Sequence, residues 1–93
     1  MITHTVLLKL VDPVERDEVK ARLEALPATI REIRSLTVGL DVVGTPASYD
    51  LCLSTTVDSL VGLKAYLDHP DHQEFIEWLR PRLSARAVVD AES

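Results

Sequence analysis

The 93-residue sequence has one cysteine, no run of lysine or arginine, and no long hydrophobic stretch. The lone Cys52 excludes an intrachain disulfide, and no obvious cation near it in its strand would activate a nucleophilic thiol. The apolar stretches are far shorter than the roughly 20 residues that cross a bilayer, so we expect no membrane partner. Ten basic residues against 15 acidic ones give a net charge of −5, which disfavours nucleic acid as a partner.

The first residues, Met-Ile-Thr-His, also lack the basic region and the apolar run of a secretory signal, and we therefore expect a cytoplasmic protein. With 46% hydrophobic and 27% charged residues, the composition is typical of a globular chain, and the length predicts a single domain over residues 1–93. A domain of this size buries only roughly 60–65% of its unfolded surface. Self-association would therefore add to its stability.

Alternation of side chains predicts four β-strands. They are expected over residues 3–11, 35–43, 49–56 and 86–90. Gly39 is expected to mark a bulge in the second strand, and the turn-forming residues 44–48 predict an antiparallel hairpin of the second and third strands. In the first strand, His4 has the same parity as the apolar residues, so its imidazole is expected on the helix-facing side of the sheet.

Two helices are predicted between these strands. Asp12 is the expected N-cap of the first helix, with Glu15 at capping-box spacing. Asp58 is the expected N-cap of the second helix, which Pro70 interrupts and which continues over residues 71–79. The order of elements is therefore βαββαβ with a broken second helix.

This order is that of the α+β, ferredoxin-like fold, in which a four-stranded antiparallel sheet carries its helices on one face. The other face stays uncovered. The alternation assigns to it a mixture of apolar, polar and charged residues: Thr5, Leu7, Lys9, Thr37, Asp41, Asp50, Cys52, Ser54, Arg86, Val88 and Asp90. A face of this half-apolar kind favours a homodimer that forms through the sheet faces.

Two of the three histidines and a tyrosine lie where the second helix is broken, in the segment Tyr-Leu-Asp-His-Pro-Asp-His at residues 66–72. Because Pro70 changes the direction of the chain, we expect His4, Tyr66 and His72 to line one partly apolar pocket between the sheet and the broken helix. An imidazole both accepts and donates protons near neutral pH, so His72 is the acid/base candidate. The alternative is structural: Tyr66 is a core aromatic, His4 is a buried imidazole with a structural partner, and His72 is a partly exposed helix residue that packs beside Phe75.

His69 and His72 are three residues apart, a spacing that also occurs in metal sites. A zinc site needs three or four ligands, however, and no nearby cysteine or carboxylate completes a set, so we expect no metal. His69 is instead expected to be a helix-end residue, and nothing arranges Ser, His and Asp as a catalytic triad.

Several segments together resemble one known family. They are His-Thr-Val-Leu-Leu-Lys-Leu at 4–10, Leu-Thr-Val-Gly at 36–39, Tyr-Asp-Leu at 49–51, Ala-Tyr-Leu-Asp-His-Pro-Asp-His at 65–72 and Val-Val-Asp at 88–90. In order and spacing they resemble the stress-responsive dimeric α/β-barrel (Dabb) domains. The resemblance implies a ferredoxin-like protomer and a homodimer whose two sheets form a dimeric α+β barrel, and for most of the family it implies no established reaction.

One relative in that family is a plant polyketide cyclase of the olivetolic acid type, which closes a ring by an aldol reaction. By this similarity His4, Tyr66 and His72 match its pocket residues, with His72 as acid/base and Tyr66 as its helper. The resemblance does not extend to the substrate. With these residues, we expect a small enzyme that binds an apolar, carbonyl-bearing molecule and moves protons with His72 and Tyr66, without a cofactor. Two alternatives stay open: a non-catalytic stress-responsive binding dimer, and, from similar folds, a cofactor-independent monooxygenase-like enzyme.

Overall fold

The computed structural model describes residues 1–93 and contains four strands and three helices. In chain order they are β1 (Ile2–Leu10), α1 (Arg16–Ala25), β2 (Ser35–Leu40), β3 (Leu51–Val57), α2 (Leu60–Asp68), α3 (Pro70–Leu79) and β4 (Leu83–Glu92). Three short 3-10 turns connect these elements. The first, Pro13–Glu15, precedes α1; the second, Leu26–Ala28, follows α1; and the third, Arg80–Arg82, precedes β4.

The strands form one sheet in the order β2-β3-β1-β4, and every neighbouring pair is antiparallel. The predicted ferredoxin-like fold and the predicted β2–β3 hairpin are therefore confirmed. The helices pack on one face of the sheet, here called the inner face, and bury a single hydrophobic core against it. None of the helices has the length and apolar character that a bilayer crossing requires.

Three predictions about the strands are wrong in detail. Strand β2 ends at Leu40, so Val42 lies beyond the sheet and is 94% exposed, whereas β4 is longer than predicted. Gly39 does not form a bulge, because it pairs with Cys52 in an unbroken register. A Cβ at Gly39 would lie 3.3 Å from the Cys52 sulfur, so the glycine leaves room for the Cys52 side chain instead.

The helix caps also differ from expectation. Asp58 does not cap α2: its carboxylate pairs with Arg34 at 2.7 Å, and the Ser59 hydroxyl accepts from the backbone N–H of Gly62. Asp58 and Ser59 are adjacent in the sequence. The Arg34 guanidinium holds the Asp58 carboxylate, so the Ser59 hydroxyl caps the helix. At the first helix, Asp12 caps the 3-10 turn that precedes α1.

The largest correction concerns β4. Three of its residues assigned to the uncovered face lie directly opposite inner-face residues of β1: Arg86 opposite Leu8, Val88 opposite Val6 and Asp90 opposite His4. Opposite residues of an antiparallel pair point to the same side, so these three side chains face the helices. The prediction failed because it assigned charges to the uncovered face, and an edge strand lets charged side chains reach solvent from either face.

The uncovered face, here called the outer face, is correspondingly less charged than predicted. Asp41 and Asp50 lie outside the strands, where they accept hydrogen bonds from the backbone N–H groups of Gly44 and Leu10. Small, hydroxyl-bearing and apolar residues make up the rest of the face, with Lys9 as the one charged side chain: Thr3, Thr5, Leu7, Lys9, Ser35, Thr37, Gly39, Cys52, Ser54, Thr56, Ala85, Ala87, Val89 and Ala91.

One aromatic side chain joins several elements at the edge of the helical layer. The guanidinium carbons of Arg22 on α1 and Arg82 before β4 lie 4.1 and 4.4 Å from the ring centroid of Trp78 on α3. Arg82 also pairs with Glu15 at 2.8 Å. These cation–π contacts connect α1 and α3 to the turn that precedes β4.

Candidate functional site

A cavity of about 380 Å³ lies between α3 and the inner face of β1 and β4, in the size range of small-molecule sites. Ten of its 15 lining residues are hydrophobic. The main apolar walls come from the sheet and from α3: Val6, Leu8, Leu53, Phe75, Ile76 and Leu79. The polar lining consists of His4, His72, Arg80, Arg86 and Asp90.

The junction between α2 and α3 determines where His72 lies. His69 has φ −60° and ψ 137°, an extended conformation that ends α2, and its Nδ1 accepts from the backbone N–H of Asp71 at 3.1 Å. Pro70 follows at the first position of α3, where its missing N–H costs nothing. His69 is thus a helix-end residue, and α3 starts in a new direction that carries His72 to the cavity.

The imidazole of His72 is held by one hydrogen bond. Its Nδ1 lies 3.0 Å from the carbonyl oxygen of Leu67 near the end of α2, which also accepts from the Gln73 side chain at 2.7 Å. A carbonyl can only accept, so Nδ1 carries the proton and Nε2 has a free lone pair without a protein partner.

The surroundings of His72 keep the ring neutral. Burial lowers its pKa below the ordinary value, the positive charge of Arg86 lowers it further, and the Leu67 hydrogen bond opposes the fall. A neutral ring at pH 7 is the form that accepts a proton.

Tyr66 lies behind the two imidazoles that face the cavity. Its ring centroid is 4.9 Å from that of His72 and 5.9 Å from that of His4, both in edge-to-face arrangements. The residue is fully buried and is not among the residues that line the cavity. The structure therefore brings the three rings into one cluster, but only His4 and His72 contact the cavity.

The hydroxyl of Tyr66 is also closed off from the cavity. It lies beside the Thr55 hydroxyl, and both are buried without a hydrogen-bond partner of good geometry. Burial raises the pKa of Tyr66, and the Thr55 hydroxyl opposes that rise. The phenol therefore stays protonated at neutral pH.

Asp90 is the partner that the buried imidazole of His4 requires. Its Oδ1 lies 2.5 Å from His4 Nδ1, and the two residues are directly opposite in the β1–β4 pairing. His4 Nε2 has no protein partner. The sequence analysis did not place Asp90 in the site, although a signal existed. Both charged residues of this segment, Arg86 and Asp90, lie on one face of β4, and the residues of the other face, Ala87 and Val89, are small or apolar.

No three His, Cys, Asp or Glu side chains come together in an arrangement that could hold a metal ion. The Nδ1 atoms of His69 and His72 are already used in hydrogen bonds to the backbone. What the site offers chemically is two imidazole Nε2 atoms facing an apolar cavity, with cationic side chains at its edge.

Comparisons with known proteins agree with this fold. A family model described as the Stress responsive A/B Barrel Domain matches residues 2–93. A Streptomyces coelicolor protein described as uncharacterized is 38% identical over 91 residues, which covers 85% of this chain and 94% of that protein.

Two solved structures are similar over almost the whole chain. A dimeric protein of unknown function and ferredoxin-like fold from Bacteroides fragilis is 33% identical, with a TM-score of 0.87 over 99% of this chain and 95% of that chain. A dimeric ferredoxin-like protein of unknown function from Thermobifida fusca is 30% identical, with a TM-score of 0.86 over 99% of this chain and 90% of that chain. The chain described here belongs to the stress-responsive A/B barrel (Dabb) family.

Proposed function

We propose that the protein binds a small, largely apolar, carbonyl-bearing molecule in the cavity and transfers a proton to or from it at His72, without a cofactor. The observation that carries this proposal is the state of His72: a neutral imidazole whose Nδ1 is held by the Leu67 carbonyl and whose Nε2 is free beside an apolar cavity. A general base needs both a free lone pair and a pKa that leaves it unprotonated.

The chemistry would begin at a carbon next to the ligand's carbonyl group. His72 Nε2 takes a proton from that carbon, which leaves an enolate on the ligand and an imidazolium on the protein. The enolate carbon then forms a bond to a second carbonyl carbon, as in an aldol ring closure, and the imidazolium returns its proton to the new alkoxide. The step uses no oxidant or reductant.

The other two rings have supporting roles in this proposal. Tyr66 packs edge-to-face against both imidazoles and acts as a positioning residue, since its hydroxyl does not contact the cavity. His4, with Nδ1 paired to Asp90, presents a second Nε2 to the ligand.

Proton exchange on a model ligand tests this role of His72. Hexanoylacetone, a diketone with an alkyl tail, should exchange its acidic carbon-bound protons for deuterium faster in the presence of the protein than in buffer, as measured by NMR. His72→Ala should reduce the protein-dependent rate roughly a hundredfold, the scale of a lost general base. Tyr66→Phe should reduce it less, because the ring that positions His72 is kept.

A ligand-binding function without turnover is the second candidate. The buried hydroxyl of Tyr66 favours it, since the expected helper of His72 has no contact with the cavity. Binding of hexanoylacetone without accelerated exchange, in the wild-type protein and in His72→Ala alike, would select this candidate over the catalytic one.

We further propose that two copies associate through their outer faces into a dimeric barrel. The outer face has one charged side chain, and Leu7 and Val89 are 36% and 63% exposed on it. The similar proteins from Bacteroides fragilis and Thermobifida fusca are described as dimeric. Light scattering after size-exclusion chromatography should give twice the chain mass of 10.3 kDa, and a monomer at tens of micromolar would contradict the proposal.

A further inference from the structure

The charged residues that line the cavity differ in their pairing. Asp90 is bonded to His4, and Arg80 is bonded to Glu77 at 2.9 Å. Arg86, in contrast, has neither a salt bridge nor a side-chain hydrogen bond within the protein. The cavity therefore contains one guanidinium whose five N–H donors are free.

The position of Arg86 connects this free cation to the candidate site. It lies on the edge strand β4 directly opposite Leu8, on the inner face, and is exposed to solvent, so it stands at the mouth of the cavity. Its charge acts on the imidazole of His72, whose proton affinity it reduces. A ligand group at Arg86 would thus be close to the reacting atom proposed above.

The cavity mouth favours an anion over a neutral group. Arg86 is the one charged lining residue without a partner, because Arg80 is engaged by Glu77 and the single lining carboxylate, Asp90, is engaged by His4. A guanidinium matches the planar, bidentate geometry of a carboxylate, and such charge-assisted hydrogen bonds are roughly twice as strong as neutral ones. Behind the mouth, the walls of β1 and α3 are apolar.

We propose that the ligand of this cavity is an amphipathic monocarboxylate, with its carboxylate on the Arg86 guanidinium and its apolar chain between the inner face and α3. This inference rests on the proposed function, in that it names the class of molecule that occupies the same cavity. It assigns to Arg86 the selection of the ligand, a role separate from proton transfer at His72.

A matched pair of probes tests the assignment. Octanoate and octanamide have the same chain and nearly the same shape, and differ in the charge of the head group. We expect the wild-type protein to bind octanoate about tenfold more tightly than octanamide, in NMR titrations at low salt. Raising the sodium chloride concentration should reduce the affinity for octanoate and leave that for octanamide unchanged.

Substitutions then locate the selecting residue. Arg86→Gln should weaken octanoate more than octanamide and so remove the preference, whereas Arg31→Gln, an equal change of charge at an exposed residue outside the cavity, should keep the preference. Loss of the preference in Arg80→Gln but not in Arg86→Gln would overturn the assignment of Arg86.

Two further outcomes separate this inference from the proposed function. Equal affinity for octanoate and octanamide in the wild-type protein would overturn the carboxylate assignment while leaving an apolar ligand site in place. Failure of both probes to shift any resonance of cavity residues would overturn the carboxylate assignment together with the binding part of the proposed function.

Discussion

The inner face of the sheet is covered by helices and holds both the core and the cavity, whereas the outer face carries no helix and is built from small and hydroxyl-bearing residues. Both faces come from the same four strands, and neighbouring residues such as Leu7 and Leu8 belong to different faces. Leu8 is 3% exposed and Leu7 is 36% exposed. The exposed fraction of Leu7 thus lies between that of a core side chain and that of a fully solvent-facing one.

The largest expected effect is on the free energy of unfolding, which should differ between alanine variants of these two leucines. Leu8→Ala should lower the free energy of unfolding by about 2–5 kcal/mol, because it removes buried methyl groups and enlarges the space beneath α3. Leu7→Ala should lower it by less, since the side chain is partly exposed. Urea unfolding monitored by circular dichroism measures both, and a greater loss in Leu7→Ala would reverse the ranking of the two faces.

The next expected effect is on assembly. Leu7→Lys should shift the proposed dimer to a monomer, because it places a second cation beside Lys9 on a face that would be buried. Val61→Lys introduces the same charge at an 81%-exposed position of α2 and should leave the mass unchanged. Light scattering compares the two variants, and a Leu7→Lys protein that keeps twice the chain mass would argue against an outer-face interface.

A smaller effect concerns the pH dependence of the inner face. The pKa of His72 is lowered in the folded protein, so the unfolded chain binds this proton more readily. Stability is therefore highest above the ordinary imidazole pKa of about 6.5 and is lost as the pH falls from there through the folded-state pKa.

His72→Gln should accordingly reduce the loss of unfolding free energy between about pH 7.5 and about pH 5.5, as measured by urea unfolding at both values. Gln73→Ala is the matched control, because Gln73 donates to the same Leu67 carbonyl and does not titrate. An unchanged pH dependence in His72→Gln would mean that the imidazole is not desolvated.

The smallest expected effect compares two threonines of the sheet. Thr55 is fully buried on the inner face, and its hydroxyl lacks a hydrogen-bond partner. Thr55→Val should therefore raise the free energy of unfolding by about 1 kcal/mol, because it removes an unsatisfied polar group at nearly constant volume. Thr5→Val on the outer face should change it by less, and destabilisation by Thr55→Val would indicate a hydrogen bond to Tyr66.

The two faces of the sheet also show which features the sequence predicts and which it does not. Parity placed His4 correctly on the inner face, and Pro70 correctly marked the helix break, because both signals are local. The order of elements sufficed for the fold.

The errors arose where the outcome depends on partners distant in the sequence. Asp58 has the chemistry of an N-cap, but Arg34 engages it. Arg86 and Asp90 have the chemistry of solvent-facing residues, but the register of β4 against β1 turns them toward the cavity. Pairing register is a tertiary property, and a shift by one residue exchanges the two faces of a strand.

Trp78, which lies between the guanidinium groups of Arg22 and Arg82, is the single tryptophan of the chain. Its intrinsic fluorescence consequently originates from one place, the contact of α1, α3 and the turn before β4. Two flanking cations change the electrostatic field on the indole, so the emission wavelength should respond when either arginine moves. Since α3 also forms a wall of the cavity, we expect the emission of Trp78 to change when a ligand binds there, with no label attached.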